Sequence, residues 1–191
     1  MRYQSSPGFR MSPVFFLIIL NLVFFVATII SRDLIFFLGL KPAAFLSKPW
    51  TIVTSMFIHG GFGHIFGNMI TLFFFGSYLS RLVGDGRFLI TYLGGGILGG
   101  ILFILLGSPL SIAIGASGAV YAVAGAMVML RPNLRVLLYF IVPMPLWVVI
   151  TVFFVVFSFI PGIAWQAHLG GLIFGLIAGY LFRKRERSYL I

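Results

Sequence analysis

The run Val14–Ile30 reads VFFLIILNLVFFVATII and contains no charged residue. A helix needs about 20 apolar residues to span roughly 30 Å of hydrocarbon, so this run predicts a membrane-spanning helix. The whole chain has the same character, because 61% of its 191 residues are hydrophobic and 8% are charged. An average soluble domain has about 25% charged residues. The sequence therefore predicts an all-α polytopic membrane protein rather than a soluble fold.

The charge and the cysteine count exclude several other classes of protein. The net charge of +10 comes from 13 basic and 3 acidic residues. On so apolar a chain we attribute it to membrane topology rather than to nucleic-acid binding. Because the chain has no cysteine, disulfides, thiolate metal sites and a cysteine nucleophile are excluded. We expect no nucleic-acid partner and no cofactor, and the sequence leaves the oligomeric state open.

Six apolar stretches are predicted to span the membrane, and the only charged residue within them is Arg81, next to the end of the second. Each is bounded by charged residues, proline or glycine. The fifth is interrupted by Pro143 and Pro145, so we expect its regular helix to begin near Leu146 and residues 136–145 to be irregular or interfacial. The six stretches are residues 14–30, 64–82, 88–106, 116–130, 137–159 and 165–182.

The basic residues predict the orientation of these spans. Ten of the 13 fall on one side of a six-span arrangement, and the other three lie within the long connection of residues 31–63. Cytoplasmic segments of membrane proteins are enriched in Lys and Arg, so we expect both termini in the cytoplasm of a cell-membrane protein. The predicted organisation is a short tail at 1–13, a six-span domain at 14–182 and a basic tail at 183–191 that lies near lipid headgroups.

The connection of residues 31–63 is the only long one between predicted spans. It contains the apolar run Leu34–Leu40 together with Pro42, Pro49 and Trp50. That run is too short to cross a bilayer. We therefore expect the connection to lie in the headgroup region with its aromatic residues as anchors. No internal repeat is apparent, which leaves an inverted-repeat transporter without support.

The segment GASG, from Gly115 to Gly118, opens the fourth predicted span. Small residues also serve helix packing in membranes, and packing alone is the competing interpretation. This span is about 15 residues or roughly 22 Å long, and Arg131 ends it on the cytoplasmic side, so Ser117 lies below the opposite surface. We expect residues 107–115 to dip into the bilayer and admit water to Ser117. Free backbone N–H groups in the first turn suit a developing oxyanion.

His168 lies in the first turn of the sixth span, where a hydrogen-bonded interfacial role is equally consistent with the sequence. Glycines then recur every four residues, at Gly171, Gly175 and Gly179, on the helix face that carries His168. A glycine face lets a second helix approach closely, and the glycines of the fourth span offer the matching surface. Because the two spans run in the same direction, this contact brings His168 within hydrogen-bond reach of Ser117.

His59, His64 and Asn68 form the third polar group. His64 and Asn68 are four positions apart at the start of the second span, so they share a helix face and can both donate into one site. The alternative is that they hydrogen-bond loop backbone and only anchor the long connection. All three polar groups are expected at one depth in one leaflet.

A serine beside a histidine predicts nucleophilic catalysis. The three acidic residues lie in predicted loops or tails, so the pair is expected to act as a dyad, with His168 as general base and then general acid. Acyl transfer also needs donors for the oxyanion, which the backbone N–H of Ser117, Asn68 and His64 can supply. Tyr121 lies on the face of Ser117 and is placed to stack against the His168 ring.

Together these motifs resemble the rhomboid intramembrane serine proteases. The resemblance covers nearly the whole chain, with six spans, a long first loop and three patterns: His-x-x-x-Asn at 64–68, Gly-x-Ser-Gly-x-x-Tyr at 115–121 and Ala-His-x-x-Gly-x-x-x-Gly at 167–175. It implies a six-transmembrane-helix bundle with Ser117 as nucleophile and His168 as base. It also implies an oxyanion hole made by the Ser117 amide, His64 and Asn68. The supporting residues are Tyr121, Gly115, Gly118, Gly171 and Gly175.

The resemblance also implies a substrate class. Members of the family cleave other membrane proteins within or beside a single transmembrane helix, typically next to a small residue in a helix-weakening context. The expected partners are therefore the lipid bilayer and transmembrane protein substrates. A gate between the second and fifth spans is implied, and each bulky residue there is equally consistent with a lipid-facing role. These residues are Phe73, Phe74, Phe75, Phe153 and Phe154.

The sequence departs from the family pattern at one position. Thr51 follows Trp50 where the family's first loop usually carries an arginine, which leaves the detailed fold of that loop open. Two alternatives to a protease remain. One is a catalytically silent, client-binding member of the same fold, and the other is a metal-binding or transport protein in which His59, His64 and His168 hold a metal ion.

Overall fold

The computed structural model describes residues 11–138, 141–158 and 160–188, and most of them are helical. The α-helices in this part of the chain are α1 Pro13–Ile30, α2 Leu34–Leu38, α3 Thr51–Thr54, α4 Phe62–Thr71, α5 Ser77–Val83, α6 Asp85–Leu106, α7 Ser117–Leu130, α8 Leu146–Ser158 and α9 Trp165–Ser188. Short 3-10 helices lie at Pro42–Ala44 and Ser55–Phe57, and a π-helical turn at Leu72–Gly76 joins α4 to α5.

Apolar helices occupy the positions of the six predicted spans. Four helical segments of the described chain are long and apolar enough to cross a membrane: Pro13–Ile30, Phe62–Val83, Asp85–Leu106 and Trp165–Arg183. Two apolar helices are shorter, Ser117–Leu130 and Leu146–Val156. With 14 residues, α7 is about 21 Å long, which agrees with the short fourth span expected from the sequence. The count of six membrane spans stays a prediction, because only four helical segments of the described chain are long and apolar enough to cross a membrane.

The described residues before α8 form two short strands, so the expectation of irregular backbone within residues 136–145 was wrong, while an interfacial position stays a prediction. Strand β1, Arg135–Leu138, pairs in antiparallel register with strand β2, Val142–Pro145. Proline has a φ that suits an extended backbone but no backbone N–H to donate. It is therefore tolerated in a strand that pairs with only one other strand. The prolines therefore belong to β2. Helix α8 begins at Leu146, as predicted.

The two predicted tails fall partly outside the described residues. The described residues do not include 1–10 of the N-terminal tail, which contain Arg2 and Arg10, or 189–191 of the C-terminal tail. The predicted end of the fifth span, Phe159, also lies outside them. Helix α9 continues through the expected end of the last span and reaches Ser188. The start of the basic tail is therefore an extension of the last helix.

Helix α7 lies at the centre of the bundle. Ten of its 14 residues are buried, and it packs most extensively against α9 and α6. A helix that is apolar on every side is typical of a position surrounded by other elements. The small residues of α7, mainly alanine and glycine, let these neighbours come close.

The glycine face of α9 lies directly against the backbone of α7. A Cβ atom at Gly171 would overlap the carbonyl oxygen of Gly118, and one at Gly175 would overlap that of Ala122. The third helix of this group also packs closely, since a Cβ at Gly99 of α6 would lie 2.6 Å from a carbonyl oxygen at the start of α9. The approach of α7 and α9 is the one that the glycine spacing predicts.

The first connection is folded against the segment that precedes Ser117. Leu40 and Ala113 exchange two backbone hydrogen bonds of 3.0 and 2.8 Å. Within the connection, Trp50 Nε1 donates to the carbonyl oxygen of Phe37 over 3.3 Å. Thr51, at the position that departs from the family pattern, is buried and donates through its hydroxyl to the Lys48 carbonyl over 2.6 Å. Local hydrogen bonds therefore hold this connection without the arginine.

We expect Gly171→Ala to destabilise the bundle. The added methyl group overlaps the Gly118 carbonyl oxygen, so the helices must separate, and overpacking of this kind lowers the free energy of unfolding by about 1–3 kcal/mol. The measurement is unfolding by sodium dodecyl sulfate titration, followed by circular dichroism. Gly86→Ala is the matched control, because nothing lies within 4 Å of its added Cβ atom. Equal stability of the two variants would contradict the packing described above.

Candidate active site

Ser117 begins α7 shortly after a turn at Gly115 whose backbone conformation favours glycine. Gly115 has a φ of +116°, and a Cβ atom there would lie 2.5 Å from Nε2 of His64. A side chain at this position would be strained by the positive φ and would displace the His64 ring. The Gly115 N–H donates to the carbonyl oxygen of Ser55 over 2.9 Å. The turn is therefore fixed by the first connection and by the start of α4.

Ser117 and His168 are in hydrogen-bond contact. The distance from Ser117 Oγ to His168 Nε2 is 2.8 Å. Ser117 is half-buried and His168 is buried, with 7% of its surface exposed. Both residues lie in the first turns of their helices, α7 and α9, at the same end of the bundle. The geometry lets the serine hydroxyl donate to a neutral imidazole.

The His168 ring is oriented by an aromatic ring. Tyr121 stacks on it with a centroid distance of 4.5 Å and an interplanar angle of 26°. His168 Nδ1 has no hydrogen-bond partner within the described residues. Two of the acidic residues, Asp33 and Asp85, precede α2 and begin α6. Among the described residues, the imidazole is therefore oriented by stacking on Tyr121, as the sequence suggested, and not by a carboxylate.

His59 supports the backbone immediately before Ser117. The Ala116 N–H donates to His59 Nε2 over 3.4 Å, and His59 is fully buried. Burial, together with the neighbouring His64, lowers the pKa of His59 from 6.5 to about 3. A neutral ring keeps the lone pair that this hydrogen bond needs. Sequence spacing gave no sign of the contact, because 57 positions separate the two residues.

His64 reaches the turn at Gly115, whereas Asn68 is bonded within its own helix. The ring of His64 lies edge-on to that of His59, with centroids 4.9 Å apart. Asn68 Nδ2 donates to the His64 carbonyl oxygen over 2.8 Å, which resembles the backbone-anchoring alternative for this group. An amide carries two N–H donors, so one remains for a ligand.

The three histidines are not arranged as a metal site. Within the described residues no group of three His, Asp or Glu side chains is placed to hold a metal ion. His168 contacts Ser117, and the Nε2 lone pair of His59 accepts from Ala116. The arrangement that the metal-binding alternative requires is therefore not formed.

A small cavity adjoins the nucleophile candidate. Its volume is about 30 Å³, enough for a water molecule or a methyl-sized group. Alanine and glycine residues supply much of its wall, and Met56 also lines it. The lining includes Met56, Gly96, Ser117, Gly118, Ala164 and Ala167.

The bulky residues of the expected gate have different environments. Phe73 and Phe74 are exposed, and Phe73 packs edge-on against Phe15 of α1 at 5.8 Å. Phe75 packs against the core. Phe154 of α8 contacts the Tyr121 ring at 6.1 Å, so it extends the stack that begins at the imidazole. A gate at this place stays a prediction.

Comparison with known proteins gives consistent matches. Residues 46–185 match the family model described as Rhomboid domain. The chain is 34% identical over 146 residues to Putative rhomboid protease YdcA of Bacillus subtilis, covering 73% of this chain and 71% of the relative. It is 29% identical over 160 residues to Rhomboid protein 1, mitochondrial, of Saccharomyces cerevisiae, covering 73% and 44%. For Rhomboid protease GluP of Bacillus subtilis the identity is 33% over 130 residues, covering 68% and 25%.

We expect the stability of the fold to fall as the pH drops from 6.5 toward about 3. The pKa of His59 is lowered to about 3 in the folded chain, so in this range the unfolded chain binds the proton and the folded chain does not. His59→Gln should make the pH dependence of the unfolding free energy shallower by up to about 1.4 kcal/mol per pH unit. The unfolding free energy of both proteins is measured by sodium dodecyl sulfate titration at several pH values. Identical slopes for both proteins would contradict this role for His59.

Proposed function

The chain belongs to the rhomboid family, and from that premise we propose that it is an intramembrane serine endopeptidase. Its substrates are other membrane proteins, cleaved in or beside a single transmembrane helix. The observation that carries the proposal is the 2.8 Å contact between Ser117 Oγ and His168 Nε2. Relatives named as rhomboid proteases support it. The chain is an integral membrane protein, in accord with its long apolar helices.

In the proposed reaction, Ser117 is the nucleophile and His168 the general base. His168 Nε2 takes the hydroxyl proton as Oγ attacks the peptide carbonyl, and then delivers it to the leaving amine. A water molecule, activated by the same nitrogen, hydrolyses the acyl-enzyme. Tyr121 acts as a positioning residue, because its ring holds the imidazole plane.

The oxyanion of the tetrahedral intermediate would form beside the first turn of α7. The backbone N–H groups of a first helical turn have no partner within the helix, so the Ser117 amide is available as a donor. His64 Nε2 lies against the Gly115 turn, and Asn68 keeps one amide N–H for a ligand. We assign these three groups to the oxyanion hole.

We extend the proposal to topology and access. With six spans within residues 14–182, both termini lie on one side of the membrane, and the distribution of basic residues assigns that side to the cytoplasm of a cell-membrane protein. The short α7 then leaves Ser117 below the opposite surface. A helical substrate shields its own peptide bonds, so it must unwind before Oγ can reach a carbonyl. We assign its entry to the side of the bundle between α4–α5 and α8, where Phe73 and Phe74 are exposed.

The cavity beside Ser117 favours a small residue on the substrate. Its volume of about 30 Å³ accepts a methyl-sized side chain, and one misplaced methylene in a fitted pocket costs about 1–3 kcal/mol of transition-state binding. The cavity therefore supports the preference for cleavage next to a small residue that the resemblance implies.

We expect Ser117→Ala and His168→Ala each to abolish cleavage of a single-span substrate in liposomes. Loss of either member of a serine protease site costs about 10⁶-fold in kcat, which is below detection in a gel assay for two fragments. A fluorophosphonate probe should label the unchanged protein and not Ser117→Ala. Ser111→Ala is the control, since that exposed hydroxyl bonds only to a neighbouring carbonyl.

Three results separate this function from its alternatives. Cleavage that persists in Ser117→Ala would exclude the serine mechanism. Binding of the substrate without fragments would identify a client-binding protein of the same fold. Loss of activity on adding a chelator would favour a metal-dependent function.

We expect substrates with alanine at the cleavage site to react at least about tenfold faster than those with leucine, as judged by kcat/KM. Met56→Ala enlarges the cavity, because its side chain lines the wall, and should reduce that ratio. The ratio of kcat/KM for the two substrates is measured on one preparation of the variant. Partial unfolding lowers both values equally and therefore leaves the ratio unchanged. An unchanged ratio would show that this cavity does not hold the substrate side chain.

A further inference from the structure

A second cavity, of about 340 Å³, lies at the first connection. None of the residues that line it belongs to the cavity beside Ser117. Its walls come from residues 36–51 and from residues 110–112, two segments that the Leu40–Ala113 bridge joins. The volume lies in the range of ordinary small-ligand sites.

Two half-buried lysines line this cavity. Lys48 Nζ donates to the Phe36 carbonyl oxygen over 3.2 Å, which leaves two of its three N–H groups. The side chain of Lys41 forms no hydrogen bond or ion pair within the described residues. The described residues that line the cavity include no carboxylate. Two ammonium groups without a counter-charge fit an anion, and Lys is a frequent ligand of phosphate.

The rest of the cavity wall is apolar. It includes Phe36, Leu110 and Ile112, and the side chains of Phe36 and Leu110 are 64% and 73% exposed. An inorganic anion gains nothing from such a wall, whereas a ligand with hydrocarbon next to its charged group covers it. The combination of lysines and exposed apolar side chains therefore points to an amphiphile.

We propose that this cavity binds the headgroup phosphate of an anionic phospholipid. Lys41 and Lys48 donate to the phosphate oxygens, and the acyl chains lie along Phe36 and Leu110. A zwitterionic lipid is disfavoured, because its choline or ethanolamine cation finds two lysines and no carboxylate among the lining residues. Bound lipid contacts both segments of the cavity wall and so stabilises the joint between the first connection and the segment that leads to Ser117.

The test measures binding and stability, and neither depends on proteolysis. Delipidated protein in neutral detergent is mixed with phosphatidylglycerol or phosphatidylcholine, and retained lipid is counted by native mass spectrometry. We expect preferential retention of phosphatidylglycerol and a rise in the unfolding temperature. Lys41→Gln and Lys48→Gln should each weaken retention about fivefold, in line with the contribution of one lysine near an anionic lipid surface.

The control is Arg32→Gln, which removes an exposed base of the same connection that does not line the cavity. Lys41→Gln is the more informative variant, since no hydrogen bond of the described fold is lost with it. Equal loss of retention in Arg32→Gln would overturn the proposal in favour of general surface charge. Equal retention of phosphatidylcholine would also overturn it. If inorganic phosphate alone raises the unfolding temperature as much as phosphatidylglycerol does, the site is one for free phosphate and not for lipid.

Discussion

Gly171 and Gly175 let α9 lie directly on the backbone of α7, because a Cβ atom at either position would overlap a carbonyl oxygen. The rest of the site depends on this contact. Ser117 and His168 lie in the first turns of these two helices, so a wider separation of the helix axes would remove the 2.8 Å contact between their side chains. Small residues are the usual means of close helix approach in membranes, where lipid gives no hydrophobic drive for association.

The sequence predicted the parts of the molecule that follow from local pattern. The lengths of the apolar stretches predicted the long helices. The glycine spacing of α9 predicted its close packing against α7 and, with it, the short distance between Ser117 and His168. The β1–β2 pair was not predicted, because prolines at 143 and 145 are equally compatible with irregular backbone and with a strand of one neighbour. The contact of His59 with the Ala116 N–H was also missed. It joins two distant segments, and no periodicity within either one encodes it.

The first connection contacts the backbone just before Ser117, which its predicted interfacial position did not suggest. Ser55 accepts from the Gly115 N–H, His59 accepts from the Ala116 N–H, and Leu40 pairs with Ala113. Three successive parts of the connection thus fix the chain before Ser117. An isolated turn with a positive φ would be mobile, whereas here its backbone groups are held by partners that are themselves buried.

The stack of Tyr121 on His168 changes in strength during the proposed reaction. A neutral imidazole at a centroid distance of 4.5 Å gains mainly dispersion energy from the phenol ring. Once it takes the serine proton, it becomes a cation over the electron-rich face of an aromatic ring, an arrangement worth about 2 kcal/mol when desolvated. The attraction therefore grows as charge develops on the ring and is largest once the imidazolium is fully formed. In the proposed mechanism of this chain, which has three acidic residues, the Tyr121 ring supplies the electrostatic stabilisation that a carboxylate gives in a Ser-His-Asp triad.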